Sequence, residues 1–453
     1  MTAPTSLGRA LAEWAATVRW QQLPPGDQER VLDALIDTVG VALAGTQHAE
    51  FALIRGAAER LGMLGEGPAD LWGSGVRLAP GTAALLNATA GHLLDFDDVH
   101  YLLHGHASTV VLPALIAVAQ AESLAGRRIL EGYVAGVGTM AAVSVAFGPK
   151  HYTVGWHSTS TIGAIGTAVG VGVALGLDVA GIHAAIGAGV SMASGVRANF
   201  GTPLKPLHAG LAARGGIEAA YLAAAGIAPS SVALEGPLGG VAVFGDGSWP
   251  GDADAVLEAA RHGLDELGIK PYPACRGAHY AIDAALEVHA QLDGASIEAV
   301  QVQVPLGAKV ALLYDDPRTG LEAKFSLPYA VATTLAHGLP TLERFTDDAV
   351  GDPATRAVMA RISVTEDDSA GDLGASMDGR YAEVRAVTAD GRSAHARVDD
   401  ARGSWSRPLS QQEIDEKFAA TAGTVLAPDR VGRLLVALRD ADELEDLRGL
   451  FQA

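Results

Sequence analysis

Apolar residues recur at helical spacing through most of the first 230 positions of the chain. Val31, Leu35 and Val39 lie four residues apart, which predicts a helix. Asp27 is placed to be its N-cap, and Gly45 lies just past its end. Almost nothing in this part alternates with period two, so we predict that it is all-helical. Further helices are predicted over 78–95, 110–125, 129–147, 159–176, 178–193 and 207–225.

The pattern changes near Lys270. Val300, Val302 and Val304 alternate with other residues, which is typical of a strand with one buried face. Further on, an Asp-Gly pair lies between two alternating runs and indicates a hairpin. The segment 270–400 is therefore predicted to be mixed α+β, with a helix at 279–292, a strand at 298–306, a second strand containing Ile362 and Val364, and the hairpin at 382–398.

Helical signals return after Pro408. Ser410 followed by Glu413 forms a capping-box pattern. The apolar residues from Val431 to Leu450 are spaced for an amphipathic helix, which we expect to pack back on the first domain. The predicted fold class is mainly α, with a large all-helical domain of residues 1–267 completed by 409–453 and a smaller α+β domain of residues 268–408.

The composition favours close-packed helices. Apolar residues make up 49% of the chain and aromatic residues 5%, and there are 55 glycines, so the core must consist mainly of small and aliphatic side chains. The apolar stretch 161–177 is short for a membrane span, is rich in glycine and continues into Asp178. We therefore predict a buried helix of a soluble protein at this position.

Charge and cysteine content exclude several classes of protein. A formal net charge of −20 repels nucleic acid and anionic lipid, so we expect neither as a partner. It also means that an anionic substrate would need local cations in its pocket. The single cysteine, Cys275, rules out an internal disulfide, and the first twenty residues lack the order of a signal peptide. We predict a cytoplasmic protein.

A short segment between two predicted helices is dense in acidic and imidazole side chains. Imidazole and carboxylate are natural ligands of Zn, Fe or Mn, which would make the segment a metal site. The same residues suit acid–base chemistry, in which a carboxylate orients an imidazole that transfers a proton. Helix-capping acids with solvent-facing histidines are a third interpretation, and all three remain open. The residues are Asp95, Asp97, Asp98, His100, His104 and His106.

Two further segments suit an anionic ligand. His157 and Ser158 lie directly before the Gly-rich helix predicted at 159–176, where free N–H groups and the positive end of the helix dipole attract anions. Lys205 and Lys270 lie in apolar settings fixed by prolines, and a desolvated di- or tricarboxylate requires such paired charge. Ordinary helix capping and loop lysines are the alternatives.

The second domain contributes further candidates. His279 and Asp283 lie at positions i and i+4 of a predicted helix, a spacing that lets the carboxylate hold the ring. Cys275 has no nucleophile signature around it, and we expect a structural or pocket-lining thiol. Tyr329 opens an Ala-rich helix and offers a phenol as acid or hydrogen-bond donor, unless it is an ordinary core tyrosine.

Taken in order, these segments resemble the MmgE/PrpD family, which includes 2-methylcitrate dehydratase, cis-aconitate decarboxylase and iminodisuccinate epimerase. The motifs are DFDDVH…HGHAS, GWHSTSTIG, LKPLHAGLAA, KPYPACRGAH and KFSLPYAVA, and the resemblance spans residues from about 30 to 420. It implies an all-helical large domain that includes the last helices, a smaller α+β lid, and a homodimer with its pocket between the domains. It also implies that no metal or organic cofactor is used.

The resemblance implies roles for individual residues as well. Val99 and Ala107 stand where the family commonly has threonine and proline, a departure from the pattern of the 2-methylcitrate dehydratases. By similarity, the implied catalytic residues are Asp95, His106, His157, Lys205, Lys270 and Tyr329. We predict that the substrate-binding residues include Val99, His100, Ser158, Cys275 and His279.

The predicted function is a cofactor-independent lyase or epimerase that transfers a proton next to a carboxylate of a small di- or tricarboxylic acid. Dehydration, decarboxylation and epimerisation each pass through a carbanion- or enolate-like species, which needs placed cations and a placed proton donor or acceptor. The alternatives are a metal-dependent hydrolase built on the cluster between Asp95 and His106, and a non-catalytic dimer that binds a carboxylate.

Overall fold

The computed structural model describes residues 6–245, 252–369, 371–373, 376 and 379–452. It confirms the predicted fold class, a mainly α protein with a smaller α+β part. The helices are α1 (Leu7–Ala15), α2 (Pro25–Gly45), α3 (Ala49–Arg60), α4 (Pro80–Leu93), α5 (Ser108–Glu122), α6 (Gly126–Phe147), α7 (Lys150–Thr153), α8 (Ser158–Leu175), α9 (Val179–Met192), α10 (Leu204–Ala224), α11 (Gly240–Phe244), α12 (Ala253–Arg261), α13 (His279–Leu292), α14 (Gly320–Ala323), α15 (Leu327–His337), α16 (Asp347–Val350), α17 (Pro353–Met359), α18 (Gln411–Ala422) and α19 (Pro428–Arg439). The strands are β1 (Glu66–Leu71), β2 (Val76–Leu78), β3 (Val99–His100), β4 (Leu267–Gly268), β5 (Ile297–Pro305), β6 (Ile362–Asp367), β7 (Ala382–Thr388) and β8 (Ser393–Val398).

Small residues allow the central helices to pack closely. Helices α4, α6, α8 and α10 form the middle of the helical part, with α6 and α10 both against α8. At the α6–α8 crossing, a Cβ added to Gly132 would lie 2.6 Å from the carbonyl oxygen of Gly170, so glycine is required for this approach. Helices α6 and α8 are long and apolar enough to cross a membrane, but almost all of their residues are buried in the core, which is consistent with a soluble protein.

Two hydrophobic cores account for most of the buried apolar residues. The larger core is formed by residues between 7 and 264 together with residues between 409 and 451, because α18 and α19 pack against α2. The smaller core is formed by residues between 272 and 401. The C-terminal helices therefore complete the helical part after the chain has built the α+β part.

The smaller core is covered by a four-stranded sheet in the order β6-β5-β7-β8. Strand β5 is parallel to β6 and antiparallel to β7, and β7 and β8 form the predicted hairpin. Val300, Val302 and Val304 of β5 are buried, as their alternation predicted. Helix α13 packs on β7 and β8.

Some sequence predictions were wrong in detail. Helix α2 begins at Pro25, whose fixed φ and missing N–H suit the first helical position, and Asp27 lies in the first turn instead of capping it. The last helix ends at Arg439, and the leucines at 444, 447 and 450 lie beyond it, where Leu447 still packs into the core. The β1–β2 hairpin was not predicted. The capping box of Ser410 on α18 is confirmed.

Candidate active site

A cleft with a volume of about 70 Å³, partly open to solvent, is lined by residues from both parts of the chain. The antiparallel pairing of β3 with β4 joins the loop after α4 to the segment that leads into the α+β part. Polar and ionisable residues that line the cleft are Asp95, His100, Tyr101, His104, His106, Tyr152, His157, Lys205, Lys270, Cys275, Arg276 and Arg380.

A buried carboxylate lies between two lysines of the cleft. Asp95 follows the end of α4 in a left-handed conformation, with a φ of 49°, which Asp tolerates better than most residues. Its carboxylate pairs with Lys205 and with Lys270, whose Nζ lies 3.1 Å from Oδ2 and 2.9 Å from the Asp95 carbonyl oxygen. Burial alone would raise the pKa of Asp95, but the two lysines hold it well below its usual value. Asp95 is therefore ionised at neutral pH.

Asp97 holds two imidazole rings next to this ion pair. Its Oδ2 lies 2.8 Å from Nδ1 of His92 and 3.0 Å from Nδ1 of His106. Burial opposes ionisation of Asp97, but the two imidazoles hold its pKa well below its usual value. Nδ1 of His106 also lies 2.7 Å from the carbonyl oxygen of Asp98, so Nδ1 carries the proton in the neutral ring. No described residue is hydrogen-bonded to Nε2 of His106, which leaves that nitrogen for a ligand.

The side chain of Asp98 belongs to a buried network outside the cleft. It is hydrogen-bonded to the hydroxyl of Ser108, which also lies 2.6 Å from the phenol oxygen of Tyr133. Burial raises the pKa of Asp98 to about 8. The carboxyl is therefore protonated at neutral pH, while the Asp98 backbone carbonyl orients His106.

Replacing Asp98 with asparagine is expected to change how stability depends on pH. The Asp98 pKa is about 8 in the folded protein and near 3.8 in the unfolded chain, so between these values the unfolded state binds fewer protons and wild-type stability falls as pH rises. One such group gives a slope of about 1.4 kcal/mol per pH unit. Chemical denaturation between about pH 5 and 7 should show wild type losing stability relative to Asp98→Asn at about this slope. Parallel pH profiles would contradict the assignment.

His157 precedes α8 and lines the cleft. Its Nδ1 lies 3.0 Å from Nδ1 of His208, so one ring donates and the other accepts. The His157 ring packs edge-on against Phe200, with ring centroids 5.0 Å apart. Burial lowers the pKa of His157 well below its usual value, so the ring is neutral.

Val99, Cys275 and His100 also line the cleft. Burial raises the pKa of Cys275, which keeps the thiol protonated and disfavours a nucleophilic role. Both ring nitrogens of His100 are engaged: Nε2 lies 2.7 Å from the carbonyl oxygen of Gly263, and Nδ1 accepts from the Leu103 N–H at 3.3 Å. His100 therefore fixes the loop and offers no nitrogen to a ligand.

Two predicted site residues lie elsewhere. Tyr329 is fully buried in the smaller core, where its hydroxyl donates to the carbonyl of Arg344 at 2.5 Å, so the structure does not bring it to the cleft. Ser158 is buried at the start of α8 and does not line the cleft. Its neighbour Thr159 reaches the site instead, because its hydroxyl accepts the His106 N–H at 3.0 Å.

The predicted pairing of His279 with Asp283 is wrong. Nδ1 of His279 accepts from Arg276, and its Nε2 donates to the carbonyl of Ala274. Asp283 accepts instead from the hydroxyl of Tyr272 at 2.5 Å. His279 therefore accepts a hydrogen bond from the Arg276 guanidinium, which lines the cleft, and does not itself line the cleft.

Sequence reasoning missed several cations and one imidazole of the site. Lys324 is buried and donates to the carbonyl of Leu94 at 2.9 Å, and burial lowers its pKa to about 7. Arg276 lies within KPYPACRGAH, Lys324 begins KFSLPYAVA, and His92 lies three residues before DFDDVH, so their positions were available as a signal. Arg380 has no such signal, because it comes from a distant segment before β7.

The residues proposed for a metal site do not converge as a group. Among the described residues, the cluster whose ligand atoms lie within 4.8 Å of one another is His92, Asp97 and His106. Asp95 pairs with lysines, and both nitrogens of His100 are bonded. A metal in the cluster would have to replace the hydrogen bonds that Asp97 now makes to both imidazoles.

Comparison with known proteins agrees with the resemblance noted in the sequence. The model of the MmgE/PrpD N-terminal domain matches residues 9–251, and that of the MmgE/PrpD C-terminal domain matches residues 272–443. The chain is 28% identical to the cis-aconitate decarboxylase of Homo sapiens, over 91% of this chain and 87% of that protein. It is also 28% identical to the cis-aconitate decarboxylase of Mus musculus, over 91% of this chain and 86% of that protein. It is 23% identical to the cis-aconitate decarboxylase of Aspergillus terreus, over 98% of this chain and 94% of that protein.

Proposed function

The chain belongs to the MmgE/PrpD family, and we propose that it is a carboxy-lyase that removes CO2 from a small unsaturated tricarboxylic acid of the cis-aconitate type. One observation carries the proposal: a single cleft contains His106, oriented by a carboxylate, together with two buried lysines. The proposed reaction runs by proton transfer next to a carboxylate and needs neither a metal nor an organic cofactor.

Lys205 and Lys270 bind a substrate carboxylate in this proposal. An ammonium group has three N–H donors. Among the described residues, Lys205 gives one to Asp95 and Lys270 gives two to atoms of Asp95, so both retain donors for a ligand. Because both lysines are buried, their attraction for an anion is weakly screened by solvent. Asp95 offsets the repulsion between the two ammonium groups.

His106 supplies the proton. When the C–C bond to the departing carboxylate breaks, its electron pair stays on the substrate and is delocalised toward a neighbouring carboxylate, next to the lysines. A proton from Nε2 of His106 forms the new C–H bond as CO2 leaves. Burial lowers the His106 pKa, whereas a bound polyanion raises it, so substrate binding favours the protonated ring. Asp97 stabilises that imidazolium at Nδ1.

Replacing either lysine with methionine is expected to lower kcat/KM at least tenfold. A hydrogen bond to a charged group contributes about 1.5–3 kcal/mol, and the buried methionine leaves the substrate carboxylate without it. The other lysine keeps Asp95 paired, so Lys205→Met and Lys270→Met should both fold. Steady-state kinetics beside thermal unfolding measure the two effects, and an unchanged kcat/KM in either folded variant removes that lysine from the site.

Product analysis tests the proposed reaction. Purified protein is incubated with cis-aconitate, with hydroxylated tricarboxylates and with dicarboxylates, and CO2 release and products are followed by NMR. We expect CO2 from cis-aconitate. Dehydration or epimerisation without CO2 would replace the decarboxylase assignment within the same family. Absence of reaction with every acid would favour the non-catalytic, carboxylate-binding alternative.

The metal-dependent alternative is separated by elemental analysis. The proposal predicts no stoichiometric transition metal in active protein and no loss of activity with a chelator. A stoichiometric metal whose removal abolishes activity, and whose binding needs His92 and Asp97, would overturn the proposal in favour of a metal site.

We also propose a cytoplasmic homodimer. The segment 196–243 carries several exposed apolar side chains, including Leu204, Leu211 and Leu238, the last of which is 92% exposed. Their burial against a second copy of the chain would remove apolar surface from water, which favours association. Light scattering that gives the single-chain mass of 46.3 kDa would contradict the dimer.

A further inference from the structure

A further buried cation lies in the wall of the cleft, apart from the two lysines. Arg276 is 4% exposed. Its Nη1 donates to the carbonyl of Arg402 at 2.7 Å and to Nδ1 of His279 at 3.1 Å, and its Nη2 donates to the carbonyl of Ala401 at 2.9 Å. Burial lowers the His279 pKa well below its usual value. All of these partners are therefore uncharged.

Arg276 lacks a counter-ion within the described part of the chain. No carboxylate there forms an ion pair with it, and its Nε has no hydrogen-bond partner. The nearby carboxylate of Asp283 is bonded to Tyr272 and to the N–H of Arg402. A buried guanidinium with neutral partners is unfavourable unless an anion reaches it. The cleft that Arg276 lines is the route by which an anion can do so.

Arg380 lines the same wall and is also 4% exposed. Arg380 packs close to the backbone next to Arg276: its Nη1 lies 3.7 Å from the position that a Cβ would have on Gly277, the residue after Arg276. Nη1 and Nε of Arg380 donate to the carbonyls of Ala308 and Ser376 at 2.8 and 2.6 Å. Hydrogen bonds to backbone carbonyls thus fix both guanidinium groups in the lining of the cleft, and their planar donor sets match the geometry of a carboxylate.

We infer that Arg276, together with Arg380, binds a second carboxylate of the substrate, separate from the carboxylate that the lysines bind. The inference rests on the proposed function and makes it more specific. Arg276 shares no bonded partner with Lys205 or Lys270, so the cleft offers two distinct cationic groups. In a chain with a net charge of −20, this local positive charge selects a tricarboxylate over a monocarboxylate, which has no second carboxylate for Arg276.

The test measures binding, so that it stands apart from catalysis. Isothermal titration calorimetry compares propane-1,2,3-tricarboxylate with butanoate, an unreactive acid that has a single carboxylate on the same three-carbon chain. Wild type is expected to bind the tricarboxylate at least about tenfold more tightly. Arg276→Met and Arg380→Met should each lose that preference and keep their affinity for butanoate. Arg380→Lys should retain part of it.

Arg397→Met is the matched control, because Arg397 is an arginine of the same part of the chain that pairs with Asp399 at the surface. It should keep the full preference for the tricarboxylate. Unchanged tricarboxylate affinity in the folded Arg276 and Arg380 variants overturns the inference, whatever activity is found. If Arg276→Met does not fold, the tricarboxylate affinity of Arg380→Met alone tests the inference. An arginine-dependent preference in a protein that releases no CO2 from any acid supports the inference and contradicts the proposed function.

Discussion

Replacing His106 with alanine is expected to lower turnover about a hundredfold or more, the usual size of a general acid–base contribution. The ring is held at Nδ1 by Asp97 and by the carbonyl of Asp98, and its Nε2 is left for the substrate. Removing the ring removes the proton donor, while the backbone hydrogen bond from the His106 N–H to Thr159 remains. Steady-state kinetics with cis-aconitate and thermal unfolding measure the two consequences.

A matched control is His289→Ala. His289 is a histidine of α13 outside the cleft, and its Nδ1 lies 2.8 Å from the carbonyl oxygen of Leu335. We expect near wild-type turnover in this variant. Asp97→Asn should reproduce part of the His106→Ala loss, because an amide stabilises an imidazolium less well than a carboxylate does. Near wild-type turnover in folded His106→Ala would remove the acid–base role.

Replacing Lys417 with methionine is expected to destabilise the protein by about 3–5 kcal/mol, the usual cost of removing one partner of a buried ion pair. Nζ of Lys417 lies 2.5 Å from Oδ1 of Asp37 and donates to the carbonyls of Phe96 and Lys270 at 2.7 and 2.9 Å. It thereby ties α18 to the loop that contains Asp95 and to the segment that contains Lys270. Urea unfolding measures the loss.

The pairing of Lys417 with Asp37 is checked by a double-mutant cycle. Asp37→Asn combined with Lys417→Met should cost less than the sum of the single variants, because the double variant leaves no unpaired buried charge. Lys309→Met is the control, since Lys309 pairs with the exposed Asp315 and such pairs contribute about 0–1 kcal/mol. Loss in Lys417→Met no greater than in Lys309→Met would contradict the account.

Local periodicity was sufficient to predict most of the long helices and the strands of the four-stranded sheet. The alternation of Val300, Val302 and Val304 depends on neighbours within one strand, and β5 was therefore predicted nearly to its bounds. The β1–β2 hairpin was missed because β2 has three residues, too few for alternation to be visible. The last leucines were assigned to a helix because their spacing is helical, although they lie beyond α19, where Leu447 is buried and Leu444 and Leu450 are partly buried against the core.

The site was predictable where a motif carries its own chemistry. Lys205 and Lys270 were identified from their unusual apolar settings, and in the structure both form ion pairs with the Asp95 carboxylate. Contacts between distant segments were not available in the sequence. The i and i+4 spacing suggested a hydrogen bond between Asp283 and His279, but the Asp283 carboxylate accepts instead from the hydroxyl of Tyr272. Arg380 reaches the cleft only through the tertiary fold.

Turnover of cis-aconitate in deuterated water, followed by NMR, tests the central claim that CO2 loss is coupled to proton transfer. The account predicts that wild-type protein places a single solvent-derived deuterium on product carbon for each CO2 released, and that His106→Ala does so about a hundredfold more slowly. CO2 release without deuterium in the product, or release at the wild-type rate in His106→Ala, would contradict it.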